Sequence, residues 1–507
     1  MHRNGTDSDS SMDAGRGRLR WFLSLTVLII IFLMSVLSIG HSSWDIAKTT
    51  IVLQILGTST NVSTLASSQK QNGHQLQEER FRSPMSCNET DIACLAKHIA
   101  VQTTASPAKS VTVCVLDEHY IDMFLNFAES AERADVRNLL PVTMSWAAHK
   151  ALKDKGFPNY FEKSFPRDAT ATESSFMSPN FNKKGGMKFR SALYLLRLGY
   201  SVLILDLDTF FIKNPFPYFK CTDCDFEVSE NVPWGKGDMC VGIVFFRPTA
   251  NMISLLTTMT DRMARNEHLW DQNLFRDLAF QLEKKGKIKF YSLLFKLFPN
   301  GSEINNGKVD LSTYNVYKDI VIYHNNWILG KEKKIFRAKE IGIWILDTDG
   351  YYTSTTAKYI TYENPYKEYT DSEVQALSTA FKLANILDRI LILPDFHCSD
   401  KNVKMKCTLD RRDDITKFHK RINNAPYREH YFLRHYKVPE AILTSVTKAI
   451  IIITKEIEGK DLLTNDIISF RPANISGPTE DELKQWIKPY EHTAIIKFQS
   501  IYFDIIK

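Results

Sequence analysis

From residue 111 onward, the apolar positions of this chain fall into short continuous runs separated by stretches of helical spacing. Val111–Leu116, Val202–Leu205, the run from Met239 and the run from Ile320 leave no room for a helix. They read as strands buried on both faces of an α/β sheet. Between them, His119–Asp135 and Gly185–Tyr200 carry apolar residues at helical spacing. The second has Leu193, Leu195, Leu196 and Leu198 inside it and Gly199 near its end. Strands alternating with helices predict a doubly wound, Rossmann-like α/β domain. After about Asp347, Ser372–Cys398 reads as an amphipathic helix running into a strand. With Lys448–Thr454 and His492–Ile505 it predicts a second, smaller α/β domain.

The N-terminal part follows a different pattern. Trp21–Ile39 is a charge-free apolar run long enough to cross a bilayer as one helix, with Arg16, Arg18 and Arg20 just before it. The excess of positive charge on that side puts the N-terminus in the cytosol and everything after Gly40 in the lumen. The run is longer than the apolar core of a cleaved signal peptide, so it is read as an uncleaved signal anchor. From His41 to about Ser110 the residues turn to Ser, Thr, Gln and Asn with little periodicity, as in a tether. The expected organisation is a cytosolic tail (1–20), a transmembrane signal anchor (21–39), a stem (40–110), a first α/β domain (111–346) and a C-terminal domain of unassigned role (347–507).

A chain of 507 residues, 44% hydrophobic and 12% aromatic, has material for two sizeable cores. Its net charge of +6 is spread among interleaved acids, with no basic block to bind nucleic acid. Sequons at Asn61, Asn88, Asn300 and Asn474 are compatible with a glycosylated lumenal chain. In that compartment Cys87 with Cys94, and Cys398 with Cys407, are candidate local disulfides. Cys221-Thr-Asp-Cys224 lacks the second pair that a structural zinc site needs, and Cys114 and Cys240 lie inside apolar runs as buried thiols.

The chemistry concentrates where the apolar run 202–205 meets Asp206 and Asp208. Alternation along a strand points both carboxylates the same way, and either a facing cation or several facing donors let both stay ionised. Hard oxygen ligands suit Mg²⁺, Mn²⁺ or Ca²⁺. Pro215 and Pro217 cannot continue a central strand, so the pair is left at an open rim, where α/β sheets hold their ligands. Gly242 falls in a strand where another group approaches the backbone closely. His324 ends a later strand, followed by Gly330, Lys331 and Lys333.

Together these pieces, over Val111–Trp344, resemble the nucleotide-diphospho-sugar transferases of glycosyltransferase family 77. This GT-A-fold group includes plant xylosyl- and arabinosyltransferases. The segment from Leu198 to Phe219 carries the resemblance most specifically, supported by "GIVFFRPT", "WDQNLF" and "YHNNWILGKEKK". The resemblance implies that Asp206, Asp208 and His324 hold a divalent metal, Mn²⁺ before Mg²⁺, on the diphosphate of a UDP-sugar. It places Gly330, Lys331 and Lys333 as phosphate contacts, and Lys188, with Arg190 as its substitute, as a basic residue on the helix before the metal strand. Asp271 and Gln272 fall near the donor sugar. Cys240 stands where an Asn is usual. The implied protein is a type II Golgi membrane glycosyltransferase with a glycan or glycoprotein acceptor and retention of anomeric configuration. No carboxylate nucleophile is identified, which leaves front-face attack and a covalent intermediate both open. The alternatives are a lumenal glycan-binding protein of the same fold without turnover, and a phosphatase of the haloacid dehalogenase class, whose signature is also Asp-x-Asp after a strand. In this chain the threonine of that signature, Thr209, comes one place early.

Overall fold

The computed structural model describes residues 87–499 apart from 166–177, 233–237, 303–318, 365, 367–369, 401–402, 408, 410–414, 453–466 and 471–477. The expected tail, signal anchor and most of the stem lie outside these residues, as do Asn61 and Asn474. Among the described residues no helix is long and apolar enough to cross a membrane.

Packed structure begins before residue 111. Helix α1 (Ile92–Ile99) starts at Asp91, whose side chain accepts from the amide of Cys94, and the Cys87–Cys94 disulfide staples the same turn. Leu95 and Ala96 are buried in the domain core. The end of the expected stem therefore belongs to the folded domain. One helix of only two turns, apolar in itself, was hidden by the polar composition around it.

β1 (Val101–Thr103) pairs antiparallel with β2 (Ser106–Leu116). The chain then runs through α2 (Ile121–Arg133), β3 (Leu139–Thr143), α3 (Trp146–Asp154), β4 (Tyr160–Phe161), α4 (Pro179–Arg197) and β5 (Ser201–Leu205). After the short β6 (Thr209–Phe211) come β7 (Phe226–Glu230), β8 (Met239–Phe246), α5 (Ala250–Arg265), α6 (Asp271–Glu283) and β9 (Phe290–Ser292). The main sheet has the order β4-β3-β2-β5-β8-β7-β9. β2 is parallel to β3 and β5, whereas β8 is antiparallel to both β5 and β7. The fold class is therefore α/β with a mixed sheet. Val202 and Ile204 of β5 pack with α1, α4, α5 and α6, while Leu203 and Leu205 pack with α2 and α3. Burial on both faces is why this strand reads as a continuous apolar run.

From β2 the chain builds outward to β3 and β4, then returns to lay β5 on the other side of β2. The carboxyl ends of β2 and β5 thus flank a topological switch point, the place where such sheets hold ligands. A second piece of structure crosses this rim. β10 (Ile322–His324) pairs antiparallel with β6, setting His324 opposite Thr209. α7 (Lys331–Glu340) follows.

A second sheet contains β11 (Tyr359–Tyr362), β12 (Ile390–Ile392), β15 (Tyr427–Arg428), β16 (Ala449–Ile452), β17 (Ile467–Phe470) and β18 (Ile495–Phe498), in the order β15-β12-β11-β18-β16-β17. All its pairings are parallel. α8 (Asp371–Ile386) leads into β12, and its Ala376, Ala380 and Leu383 share a core with Ile360, Leu391 and Ile496. β13 (Phe396–Asp400) and β14 (Val403–Cys407) form a hairpin. The side chains of Cys398 and Cys407 lie outside the described residues. Cys221 and Cys224 are paired, and Cys114 and Cys240 are buried thiols. Of the two described sequons, Asn88 is exposed. Asn300 is buried, its amide donating to the carbonyls of Glu230 and Asn231, so its side chain is closed to modification.

Candidate active site

β5 ends at Leu205, and Asp206, Leu207 and Asp208 form a turn closed by the amide of Thr209 on the carbonyl of Asp206 (3.1 Å). The two carboxylates converge through this turn and not through strand alternation. Facing them across the β6–β10 pairing is His324, its Nε2 3.3 Å from Asp208 Oδ1 and 3.9 Å from Asp206 Oδ2. One ligand atom from each of Asp206, Asp208 and His324 lies within 4.8 Å of the other two.

Each carboxylate has its other oxygen on a lysine. Lys188 Nζ donates to Asp206 Oδ1 (2.8 Å), and Lys334 Nζ donates to Asp208 Oδ2 (2.6 Å). The lysines therefore fix the rotation of both carboxylates and leave Asp206 Oδ2, Asp208 Oδ1 and His324 Nε2 as the inward set. Burial alone would raise the Asp208 pKa, but Lys334 and His324 hold it below the usual carboxylate range. Burial would lower that of His324, but Asp208 and Cys240 override it and push it up to about 10. This is a pocket that demands positive charge at Nε2, and a divalent cation there satisfies the same demand. Two carboxylate oxygens and an imidazole nitrogen form the mixed donor set of Mn²⁺ or Mg²⁺ sites. The residues fit the ion.

The imidazole is held from behind. Its Nδ1 lies 3.4 Å from Cys240 Sγ, and a Cβ on Gly242 would stand 2.1 Å from Cε1. Gly242 is a glycine because the ring lies flat on that strand. Cys240, where the resemblance leads one to expect an Asn, is the ring's neighbour. Asn325 secures the next position. Its amide donates to the Asp208 carbonyl (2.7 Å) and its side chain to the Lys334 carbonyl (2.8 Å), tying the Asp206–Asp208 turn to α7.

Lys188 also reaches Asp271 Oδ2 (3.4 Å) and the Val241 carbonyl (3.2 Å) and is fully buried, and these partners raise its pKa against the opposing effect of burial. Gly185, one turn earlier on α4, lets Asp271 approach, since a Cβ there would stand 3.1 Å from Oδ2. Gln272 follows Asp271 on the first turn of α6, half-buried, its amide on Asp271 Oδ1 (2.8 Å). Thus the structure brings Asp206, Asp208, His324, Lys188 and Asp271 together. It does not bring Arg190 or Lys331 to them. Arg190 is two residues from Lys188 on a helix, so it faces elsewhere, with its Nε donating to the Tyr194 hydroxyl (3.3 Å). Lys331 turns to the His119 carbonyl (2.6 Å) and Asp122 (2.9 Å). Lys333 is a position short of Lys334 around the helix. Gly330 caps α7 with φ +92°, a conformation that favours glycine.

Lys334 is the lysine the sequence reading passed over, along with a second, Lys184. One turn before Lys188, Lys184 Nζ lies 2.7 Å from Asp117 Oδ2 at the carboxyl end of β2. α4 therefore carries two lysines at i, i+4 to the ends of two adjacent strands. The spacing of Lys184 and Lys188, read against the helix period, was the available signal.

Residues 134–338 match the nucleotide-diphospho-sugar transferase family. The chain is 25% identical over 264 residues to the beta-arabinofuranosyltransferase RAY1 of Arabidopsis thaliana, covering 48% of this chain and 49% of that protein. It is 24% identical over 260 residues to the UDP-D-xylose:L-fucose alpha-1,3-D-xylosyltransferase MGP4 of the same plant, covering 47% and 71%. A UDP-galactose:fucoside alpha-3-galactosyltransferase of Dictyostelium discoideum is 27% identical over 215 residues, covering 36% and 33%. The match thus spans about half the length of the first of these relatives. Among solved structures, a glycosyltransferase involved in glycosylation of the major capsid of PBCV-1 aligns at 12% identity with a TM-score of 0.29, over 44% of this chain and 96% of that one. On the sequence matches, the chain is similar over residues 134–338 to the nucleotide-diphospho-sugar transferase family.

Proposed function

We propose that this protein is a GT-A-type glycosyltransferase that moves a sugar from a UDP-sugar to a glycan or glycoprotein acceptor, with a divalent metal, Mn²⁺ before Mg²⁺, in the site. The observation that carries the reading is the convergence of Asp206, Asp208 and His324 at the switch point of a sheet that lies in the region similar to the nucleotide-diphospho-sugar transferase family. Asp206 Oδ2, Asp208 Oδ1 and His324 Nε2 would hold the ion. When bound, it supplies Lewis-acid neutralisation of the departing diphosphate. Lys188 and Lys334 keep the carboxylates turned toward that point and add positive charge at the rim where the diphosphate leaves. Asp271, held by Lys188, stands one residue removed from the metal turn, where a sugar hydroxyl could be received. Retention of configuration is part of the proposal. Xylose, arabinose and galactose, the sugars in the relatives' names, are the donors to try first.

The phosphatase alternative loses support, because Thr209 spends its hydroxyl on the Asp206 carbonyl (2.7 Å) and Asp206 is turned to Lys188 and the imidazole. The apolar run Trp21–Ile39 behind three arginines supports a type II Golgi membrane protein with this domain in the lumen.

The test is UDP release by the full-length chain across a panel of UDP-sugars, with and without Mn²⁺. Release from one donor, abolished by chelation and lowered at least about a hundredfold in Asp208→Asn, is the expected outcome. Equal release from Asp208→Asn, or release that ignores chelation, would sink the metal-dependent transferase.

A further inference from the structure

The helix that carries Lys188 has a second face with its own cavity. α4 and α5 enclose, with the loop after α5, a space of about 580 Å³, within the roughly 300–1,000 Å³ range of small-ligand pockets. Gly185 and Lys188 point from α4 to the metal site, while Gly186, Met187, Arg190 and Tyr194 point into this cavity. The two sites therefore lie on opposite sides of one helix, about 10 Å across.

Three features define what the cavity can hold. Asn182 lines it and is only 3% exposed. Its Nδ2 donates to the Glu267 carbonyl (3.1 Å), while its Oδ1 has no hydrogen-bond partner. A buried acceptor left unpaired costs about 1–3 kcal/mol, so the position calls for a ligand donor. Second, charges of both signs share the walls: Lys183, Arg190 and Arg197 stand with Asp261 and Glu267, and Thr260, whose hydroxyl donates to the Leu256 carbonyl, is left to accept. A polyanion would meet the two acids, and an apolar ligand would strand the polar groups. Third, Tyr194, linked to Arg190 through its hydroxyl, adds an aromatic surface. A ligand that both donates and accepts through many hydroxyls, is uncharged, and has apolar C–H faces for a ring meets all three conditions.

We infer that the α4–α5 cavity is a glycan-binding subsite that holds an uncharged oligosaccharide segment of the acceptor, remote from the hydroxyl that reacts. Its role as an acceptor subsite rests on the glycosyl-transfer reading; the binding itself does not.

The test is isothermal titration of the full-length chain with neutral xylo-, arabino- and galacto-oligosaccharides, without donor or metal. One class should bind. Asn182→Leu, which keeps the volume but removes the unpaired acceptor, and Asp261→Trp, which blocks the exposed rim, should each weaken binding about tenfold or more. Asp208→Asn should leave it within about twofold. Thermal melting checks that the variants are folded; Asp261 is on the exposed side of α5, so its replacement decides the question if Asn182→Leu unfolds. The inference is overturned if no oligosaccharide of the panel binds, if Asp261→Trp binds as well as the parent chain, or if Asp208→Asn is the variant that abolishes binding. Oligosaccharide binding without UDP release would sink the transferase reading and keep the subsite. UDP release without oligosaccharide binding would do the reverse.

Discussion

At the scale of single residues, the site depends on small groups behind large ones. Gly242 has no functional atom, yet it sets the position of His324, because any Cβ there overlaps the imidazole. Gly242→Ala should therefore push the ring off the carboxylates, raise the Mn²⁺ concentration for half-maximal UDP release about tenfold, and cost about 1–3 kcal/mol of stability by overpacking a central strand. A Mn²⁺ titration checks this, and an unchanged midpoint would mean that His324 is not a ligand. The lysines give a paired prediction. Lys334 neutralises a buried carboxylate, whereas Lys331 pairs with the half-exposed Asp122, the kind of contact that contributes little. Lys334→Ala should lower kcat/KM for the donor about a hundredfold and Lys331→Ala no more than about threefold; steady-state kinetics on both variants checks it. Comparable losses in the two would contradict the site as drawn.

At the scale of elements, α7 joins the metal site to the second sheet. Its first turn presents Lys334 to Asp208. Its last turn is gripped from the other side, with both Glu340 oxygens accepting from the Leu409 amide (3.0 and 2.9 Å) and Lys339 Nζ 3.7 Å over the Tyr351 ring. In the middle, the buried Arg337 donates to the Asn326 carbonyl (2.9 Å). Glu340→Ala strands a buried N–H and should cost about 1–3 kcal/mol of stability. It should also raise the donor KM several-fold with the Mn²⁺ midpoint unchanged, since it loosens Lys334 and not the metal ligands. Melting and donor kinetics on the same preparation check it. A loss of stability with unaltered KM would make this grip purely structural. This element also shows where sequence reading ran out. The strand ending in Asp206 and Asp208 and the strand ending in His324 were legible because burial on both faces leaves an unbroken apolar run. Among four charged residues after Gly330, the one that reaches Asp208 depends on the rotational phase of α7, which Gly330 sets and which no local pattern reveals. The same holds for Arg190, excluded only once Lys188 is known to face inward. Asn325 looks like any polar loop residue until β6 and β10 are paired.

At the scale of the whole molecule, the two sheets share a core. Met123, Phe210 and Tyr323 from the metal-site side pack in one apolar cluster with Tyr359, Ile392 and Ile495 of the second sheet, and with Ile343, Trp344 and Phe432 between them. Sequence periodicity finds the two sheets but not this joint, because a period shows which residues of a segment are buried and not which segments meet. A joint core of this kind predicts that the sheets unfold together. Calorimetry of the full-length chain should give one cooperative transition for both, and a fragment ending at residue 346 should lose that transition, since it leaves half of the cluster bare. Two separated transitions would show the sheets to be independent. The joint also carries a pH sensor of its own integrity. His435 is buried, stacked 3.7 Å from the Tyr352 ring, and its Nδ1 accepts from the Lys437 amide (3.3 Å), a bond open only to a ring unprotonated at that nitrogen. Burial, aided by Lys437 and Arg133 and opposed by the Trp344 backbone and Asp347, lowers its pKa to about 4. The unfolded chain takes up a proton near pH 6.5 that the folded chain refuses until about pH 4, so stability from this group is full above pH 6.5 and is lost as the pH falls toward 4. The single transition should therefore move to lower temperature across that window. In His435→Gln this acid limb should flatten while the transition stays single. If the variant keeps the full acid slope, the proton is taken up elsewhere and the joint is not where acid weakens the molecule.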